Sequence, residues 1–137
     1  MSRVLIVDDY LDALDVWSLY LRSMGYEVLT AKNGDEAIAQ ATTASPDIIV
    51  LDLDLPGKSG IEVAGVLRSQ LNTRDIPLVA ATGHSHSAQL DLARKAGFDA
   101  VVVKPCDPDR LLSELQRLLS RRPIEPGASS ATGKPTA

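Results

Sequence analysis

A chain of 137 residues, 45% hydrophobic and 23% charged, has the size and composition of one globular domain. Fourteen basic against eighteen acidic residues leave a formal charge of −4, which supplies no counterion-release drive toward a phosphate backbone and speaks against direct nucleic-acid binding. The lone cysteine excludes an internal disulfide, and the longest apolar stretches fall far short of the roughly 20 residues a membrane helix needs, so a reducing cytoplasm without membrane association is the expected setting.

Val4 to Val7 is a short apolar run of β type, closed by Asp8 and Asp9. A helical pattern follows, with Leu14, Trp17, Leu21 and Met24 on one face. Val16, Leu19 and Tyr20 spread beyond that face, as a wide core contact or a partner site. Met24-Gly25 closes the helix, because glycine accepts the left-handed conformation that satisfies the last carbonyls. Glu27 to Ala31 reads as a second strand, and its mixed polarity places it nearer a sheet edge than the others. Asn33 caps the second helix, with Asp35 and Glu36 in its first turn. Pro46 ends that helix, lacking an N–H and pushing Ser45 out of the α region.

Ile48 to Leu51 is the third strand, and Ser59 to Leu71 the third helix. Pro77 to Ala81, then Ser87 to Ala96 with Gly97 behind it, then Ala100 to Val103 supply the fourth strand, fourth helix and fifth strand. Asp107 and Pro108 open the fifth helix as cap and first helical residue. Its Leu111, Leu112, Leu115, Leu118 and Leu119 fall within a stripe of about 120°, the mark of a helix packed on a sheet. From Pro123 the chain turns to Pro, Gly, Ser, Thr and Ala, so a folded domain over 1–122 and a flexible tail over 123–137 are expected.

The alternation of β and α segments predicts an α/β fold with a parallel sheet. Four apolar strands covered by helices on both faces suit the doubly wound, flavodoxin-like (βα)5 arrangement with sheet order 2-1-3-4-5. Asp8, Asp9, Asp52, Thr82 and Lys104 then all stand at carboxyl ends of strands. Those ends border the crevice where open α/β sheets bind ligands. Any one aspartate here would be an ordinary cap or turn residue; the convergence is the signal.

Three carboxylates about 5 Å apart repel by on the order of 3 kcal/mol per pair at an effective dielectric near 20, so the cluster needs a cation. All-oxygen ligands suit Mg²⁺, with Lys104 as a fixed positive charge and Thr82 as a hydroxyl donor for phosphoryl oxygens. Other signals weigh less. Gly57-Lys58-Ser59 imitates the end of a P-loop, but Asp52 stands where that loop needs glycine. His84 and His86 have no third soft ligand and read as loop histidines, Cys106 as a small buried hydrophobe, and Pro56, Gly57 and Gly60 as shapers of the loop after Asp52.

Asp8-Asp9, Asp52 within Ile49-Val-Leu-Asp-Leu-Asp-Leu-Pro-Gly57, Thr82 and Lys104-Pro105 resemble the receiver domains of two-component response regulators, in a single-domain, chemotaxis-type architecture, over Arg3 to about Arg122. The resemblance implies that Asp52 accepts a phosphoryl group from a histidine kinase, a phosphotransfer protein or a small phosphodonor. Catalysis then goes no further than the chain's own phosphorylation and slow autohydrolysis. It also implies Mg²⁺ held by Asp9 and Asp52, by Asp8 mainly through water, and by the Asp54 backbone carbonyl. Thr82 and Lys104 would follow the phosphoryl group and alter the surface offered to a downstream protein target. Lys104-Pro105 would be a cis peptide. Departures from the family are Val101 where Tyr or Phe is frequent, Gly83 where Ala is common, and Cys106 in place of Phe. They motivate an alternative, a receiver-like binding module that works without phosphorylation. Asp52-Leu53-Asp54 also looks like the nucleophile motif of haloacid-dehalogenase phosphatases, though there it usually lies on the first strand.

Overall fold

A computed structural model of the chain describes residues 2–83, 87–104 and 107–120. Strands β1 (Arg3–Val7), β2 (Glu27–Ala31), β3 (Ile48–Asp52), β4 (Leu78–Thr82) and β5 (Ala100–Val103) alternate with helices α1 (Leu11–Ser23), α2 (Gly34–Ala44), α3 (Gly60–Ser69), α4 (Ser87–Lys95) and α5 (Pro108–Ser120). The strands form one parallel sheet in the order β2-β1-β3-β4-β5, the flavodoxin-like winding expected from the sequence. The expected segments for His84, His86, the Lys104-Pro105 peptide, Cys106 and the tail lie outside the described residues, wholly or at their second residue.

Strand pleating divides the interior in two. Leu5 and Val7 of β1, with Ile49 and Leu51 of β3, pack with Ala37, Ala41, Val63, Leu67 and Ala93 from α2, α3 and α4. Val4 and Ile6, with Ile48 and Val50, pack instead with Leu14, Leu21, Leu111, Leu115 and Leu118 from α1 and α5. Side chains two apart share a face. Apolar residues at every position of a central strand are therefore needed for both layers at once.

The helix ends follow local chemistry. Asn33 Oδ1 accepts the Glu36 N–H at 2.8 Å. Ser59 is the cap of α3 rather than its first residue: its hydroxyl accepts the Glu62 N–H at 3.2 Å while Glu62 accepts the Ser59 N–H at 2.9 Å. This capping box is written in the sequence as Ser-x-x-Glu. Gly25 and Gly97 both take positive φ behind their helices, as expected. Ser45 does leave the right-handed region, but into the left-handed one at φ +48°, where a Cβ costs energy.

Two expectations need correction. The buried face of α1 is Leu14, Ser18 and Leu21, whereas Met24 is half exposed and Val16 and Leu19 are 62% and 72% exposed. A wide core contact through Val16 and Leu19 is thereby ruled out. Strand β3 runs one residue further than expected and β4 is shifted one residue along the chain, to Leu78–Thr82, so Asp52 and Thr82 are the last strand residues rather than the first loop residues. Strand β5 forms the second edge of the sheet, as the expected order requires, and is apolar throughout with Val103 37% exposed.

Candidate functional site

Parallel strands entering from one side deliver their carboxyl ends to one rim. Asp8 leaves β1 held by its N–H on the Ala31 carbonyl of β2, at 3.1 Å. Its Oδ1 accepts the Tyr10 N–H at 3.0 Å, and Asp52 Oδ1 likewise accepts the Asp54 N–H at 2.9 Å. Each is a turn in which a carboxylate takes the backbone N–H two residues on, which aims the second oxygen. Both second oxygens meet Lys104: its Nζ donates to Asp8 Oδ2 at 2.9 Å and to Asp52 Oδ2 at 3.1 Å. Asp9 is exposed beside them, and one carboxylate oxygen from each of Asp8, Asp9 and Asp52 lies within 4.8 Å of the others.

Thr82 is fully buried at the end of β4, and its carbonyl accepts the Lys104 N–H at 2.7 Å. The β3–β4 register pairs Asp52 with Ala81, one residue before Thr82. Asp54 reaches the site through its backbone N–H, a contact other than the carbonyl role expected of it, and its side chain is exposed. Gly60, at the start of α3, lies against the Asp52 backbone so closely that a Cβ there would stand 2.5 Å from the Asp52 carbonyl oxygen.

Pleating also sorts these groups. Asp52 continues the Ile48 and Val50 face toward α1 and α5, and Asp8 and Lys104 line a cavity with Val50, Val102, Trp17 and Leu111 of that same layer. Thr82 follows Leu78 and Ala80 on the opposite face.

Burial pushes the Asp52 carboxyl up from its usual range, against the lowering pull of the Asp54 N–H and the Lys104 ammonium. For Lys104 burial works against the charged form, but the hydrogen bonds and charges of Asp8 and Asp52 outweigh it and hold the group above the ordinary lysine value. The pair is asymmetric: the ammonium has two carboxylates, whereas each carboxylate has half an ammonium. Three carboxylates against one ammonium leave an excess negative charge that a divalent cation matches, and the donors are all oxygen. The donor set therefore fits Mg²⁺.

Residues 4–116 match the response regulator receiver domain family. Among similar proteins are the DNA-binding response regulator MtrA of Mycolicibacterium smegmatis, 30% identical over 96% of this chain and 57% of its own length, and the transcriptional regulatory protein KdpE of Mycobacterium tuberculosis, 39% identical over 88% and 52%. The chain spans about half the length of the curated relatives it matches. Similar solved structures include the chemotaxis protein CheY4 of Vibrio cholerae, with TM-score 0.82 and 34% identity over 85% of this chain and 98% of that one. Another is the receiver domain of a sensor histidine kinase of Pseudomonas aeruginosa, solved with a magnesium ion in its active-site cleft. It has TM-score 0.81 and 28% identity over 87% of this chain and 98% of that one. The chain belongs to the receiver-domain family of two-component response regulators, whose role is that of a signalling phosphoacceptor rather than a turnover enzyme. Among the described residues no helix is long and apolar enough to cross a membrane.

Sequence reasoning missed the two N–H contacts that orient Asp8 and Asp52. Asp commonly accepts the backbone N–H two residues on, but the sequence does not mark which aspartates do so. The closeness of Gly60 had no local signal, because its neighbours come from the packing of α3 on the end of β3.

Proposed function

We propose that Asp52 is the phosphoacceptor of this receiver, with Asp8, Asp9 and Mg²⁺ as its metal site and Thr82 and Lys104 as the groups that receive the phosphoryl oxygens. The observation that carries the reading is the Lys104 bridge: one ammonium bonded to both buried carboxylates at strand ends, with a third carboxylate within 4.8 Å.

Chemically, an Asp52 carboxylate oxygen attacks phosphorus. The new O–P bond forms as the P–N bond of a phosphohistidine donor breaks, and the imidazole leaves with that bond's electron pair. With an acyl phosphate donor the bond broken is P–O and the carboxylate leaves. The Asp54 N–H holds Asp52 in place, and Lys104 exchanges its Asp52 oxygen for a phosphoryl oxygen. The Thr82 hydroxyl donates to another. Asp9 and Asp52 would hold the metal directly, Asp8 mainly through water, with the Asp54 carbonyl as a further oxygen ligand. Mg²⁺, when bound, neutralises charge so that an anionic donor can approach an anionic acceptor.

In this reading the phosphoryl source is a histidine kinase, a phosphotransfer protein or a small phosphodonor, and the output is an altered surface for a downstream protein. Residues 1–122 carry the working domain in this reading, and the setting is the cytoplasm. Incubation with a small phosphodonor and Mg²⁺, followed by intact mass measurement, should add one phosphoryl group to the wild type and none to Asp52→Ala. Equal labelling of the two proteins would show that the acceptor lies elsewhere.

A further inference from the structure

We propose that the seam between α1 and α5 is a conformational readout of the site, in which a change at Lys104 is felt by Trp17 across a small, partly open cavity and passed to the first turn of α5 through Tyr20 and Asp109. The inference rests on the phosphoacceptor reading, because it needs an event that draws Lys104 away from Asp8.

The cavity holds about 20 Å³ beneath the rim of the sheet. Asp8 and Lys104 stand on its polar side, and Trp17, Val50, Val102 and Leu111 line its apolar side. That is room for about one water molecule. The consequence is local slack. A packed side chain bordering a void can change position at small cost, whereas its neighbours elsewhere cannot.

Trp17 is the α1 side of that void, and its ring meets Tyr20 one turn on, edge to face, with centroids 6.5 Å apart and planes at 80°. The Tyr20 hydroxyl donates to Asp109 Oδ1 at 3.0 Å. Asp109 is the second residue of α5, and Leu111, two residues further, borders the same cavity. The first turn of α5 is thus held at two points, one by the wall of the void and one by α1. Both routes begin at the pair Asp8–Lys104, 2.9 Å apart.

When Lys104 turns to a phosphoryl oxygen on Asp52, Asp8 loses its ammonium and the polar side of the void rearranges. Trp17 and Leu111 then repack, and the Tyr20–Asp109 bond carries the shift of α1 to α5. Interfaces of packed helices respond in discrete steps rather than by continuous deformation, so the first turn of α5 takes a second position. Phosphorylation at one end of the sheet thereby acquires an outcome on the α1–α5 edge.

The single tryptophan makes this testable in the full chain. The chain is treated with acetyl phosphate and Mg²⁺, and one sample is followed by intact mass, by Trp17 emission and by amide chemical shifts. The expected result is one phosphoryl group, a shift in Trp17 emission, and displaced amides from Asp109 to Leu112. Tyr20→Phe and, independently, Asp109→Ala should keep the labelling and the emission shift but lose the displacement in α5. Labelled protein with unchanged Trp17 emission and unmoved α5 amides overturns the inference alone. So does full α5 displacement in both variants. An unlabelled wild type overturns the phosphoacceptor reading, and the inference falls with it.

Discussion

Replacing Gly60 with alanine puts a methyl where the sheet end leaves no room. The added Cβ would stand 2.5 Å from the Asp52 carbonyl oxygen and 2.7 Å from Leu53 Cα, both backbone atoms, and 3.0 Å from Leu53 Cδ2. Ordinary carbon contacts lie near 3.5–4.0 Å, so α3 or the end of β3 must move by about 1 Å. Overpacking of this kind typically costs about 1–3 kcal/mol, offset by up to about 1 kcal/mol because alanine restricts the unfolded chain more than glycine does. A net loss of about 1–2 kcal/mol is expected. Gly65 in the same helix supplies the control, since a Cβ there meets nothing within 4 Å. Gly65→Ala should stabilise by about 0.5–1 kcal/mol. In urea unfolding the two midpoints should move in opposite directions from the wild type, with slopes unchanged. Because Gly60 touches Asp52 itself, Gly60→Ala should also slow phosphoryl labelling while Gly65→Ala leaves it alone. A Gly60→Ala midpoint at or above the wild-type value would refute the steric argument.

Asp52→Asn, measured without metal, should raise the melting temperature at neutral pH. Burial raises the folded-state pKa of Asp52, so between the unfolded and folded values the folded chain holds the extra proton and stability falls as pH rises. The advantage of Asn should therefore vanish below about pH 4, and a gain that persists there contradicts the linkage. Mg²⁺ at about 100 times its dissociation constant should stabilise the wild type by about 2.7 kcal/mol, and Asp9→Asn should remove most of that in thermal scans. An identical Mg²⁺ response in Asp9→Asn removes Asp9 from the metal site. Arg68 donates to the carbonyls of Gly97, Arg74 and Ile76 at 2.6–3.1 Å and to Asp99 at 3.1 Å, tying the end of α3 to the turns before β4 and β5. Arg68→Met should cost about 2–3 kcal/mol in chemical denaturation, and Arg68→Lys should recover little, because lysine lacks the planar fork. Full recovery with lysine would mean that only charge matters there.

The sheet order and the strand-end cluster were legible because each depends on a count along the chain: apolar runs separated by helical segments, and an acid or lysine at the end of a run. Asp8, Asp9, Asp52 and Lys104 came together for that reason. Helix faces were read less well. Met24 fits the apolar stripe of α1 by spacing yet is half exposed, while the buried positions include Ser18, whose polarity gave the opposite hint. The edge position of β5 followed from the sheet order, although Ala100-Val-Val-Val103 has the composition of a central strand. Spacing reports which residues share a side, and only tertiary packing decides which side meets the core. Arg68 shows the same limit, because its carbonyl partners come from loops up to 29 positions away.

The sorting of the strands into odd and even layers has a further consequence for how such a protein tolerates change. Helices here can gain or lose a turn at their far ends, and loops can lengthen, without altering which groups meet at the rim. Removing one residue from within β3 is different, because it would invert the orientation of everything beyond the cut and turn the Asp52 carboxylate from the layer of Lys104 to the layer of Thr82. Substitution can reshape this molecule gradually. Insertion or deletion inside its central strands is all or nothing, so the site depends on strand length as strictly as on the acids themselves.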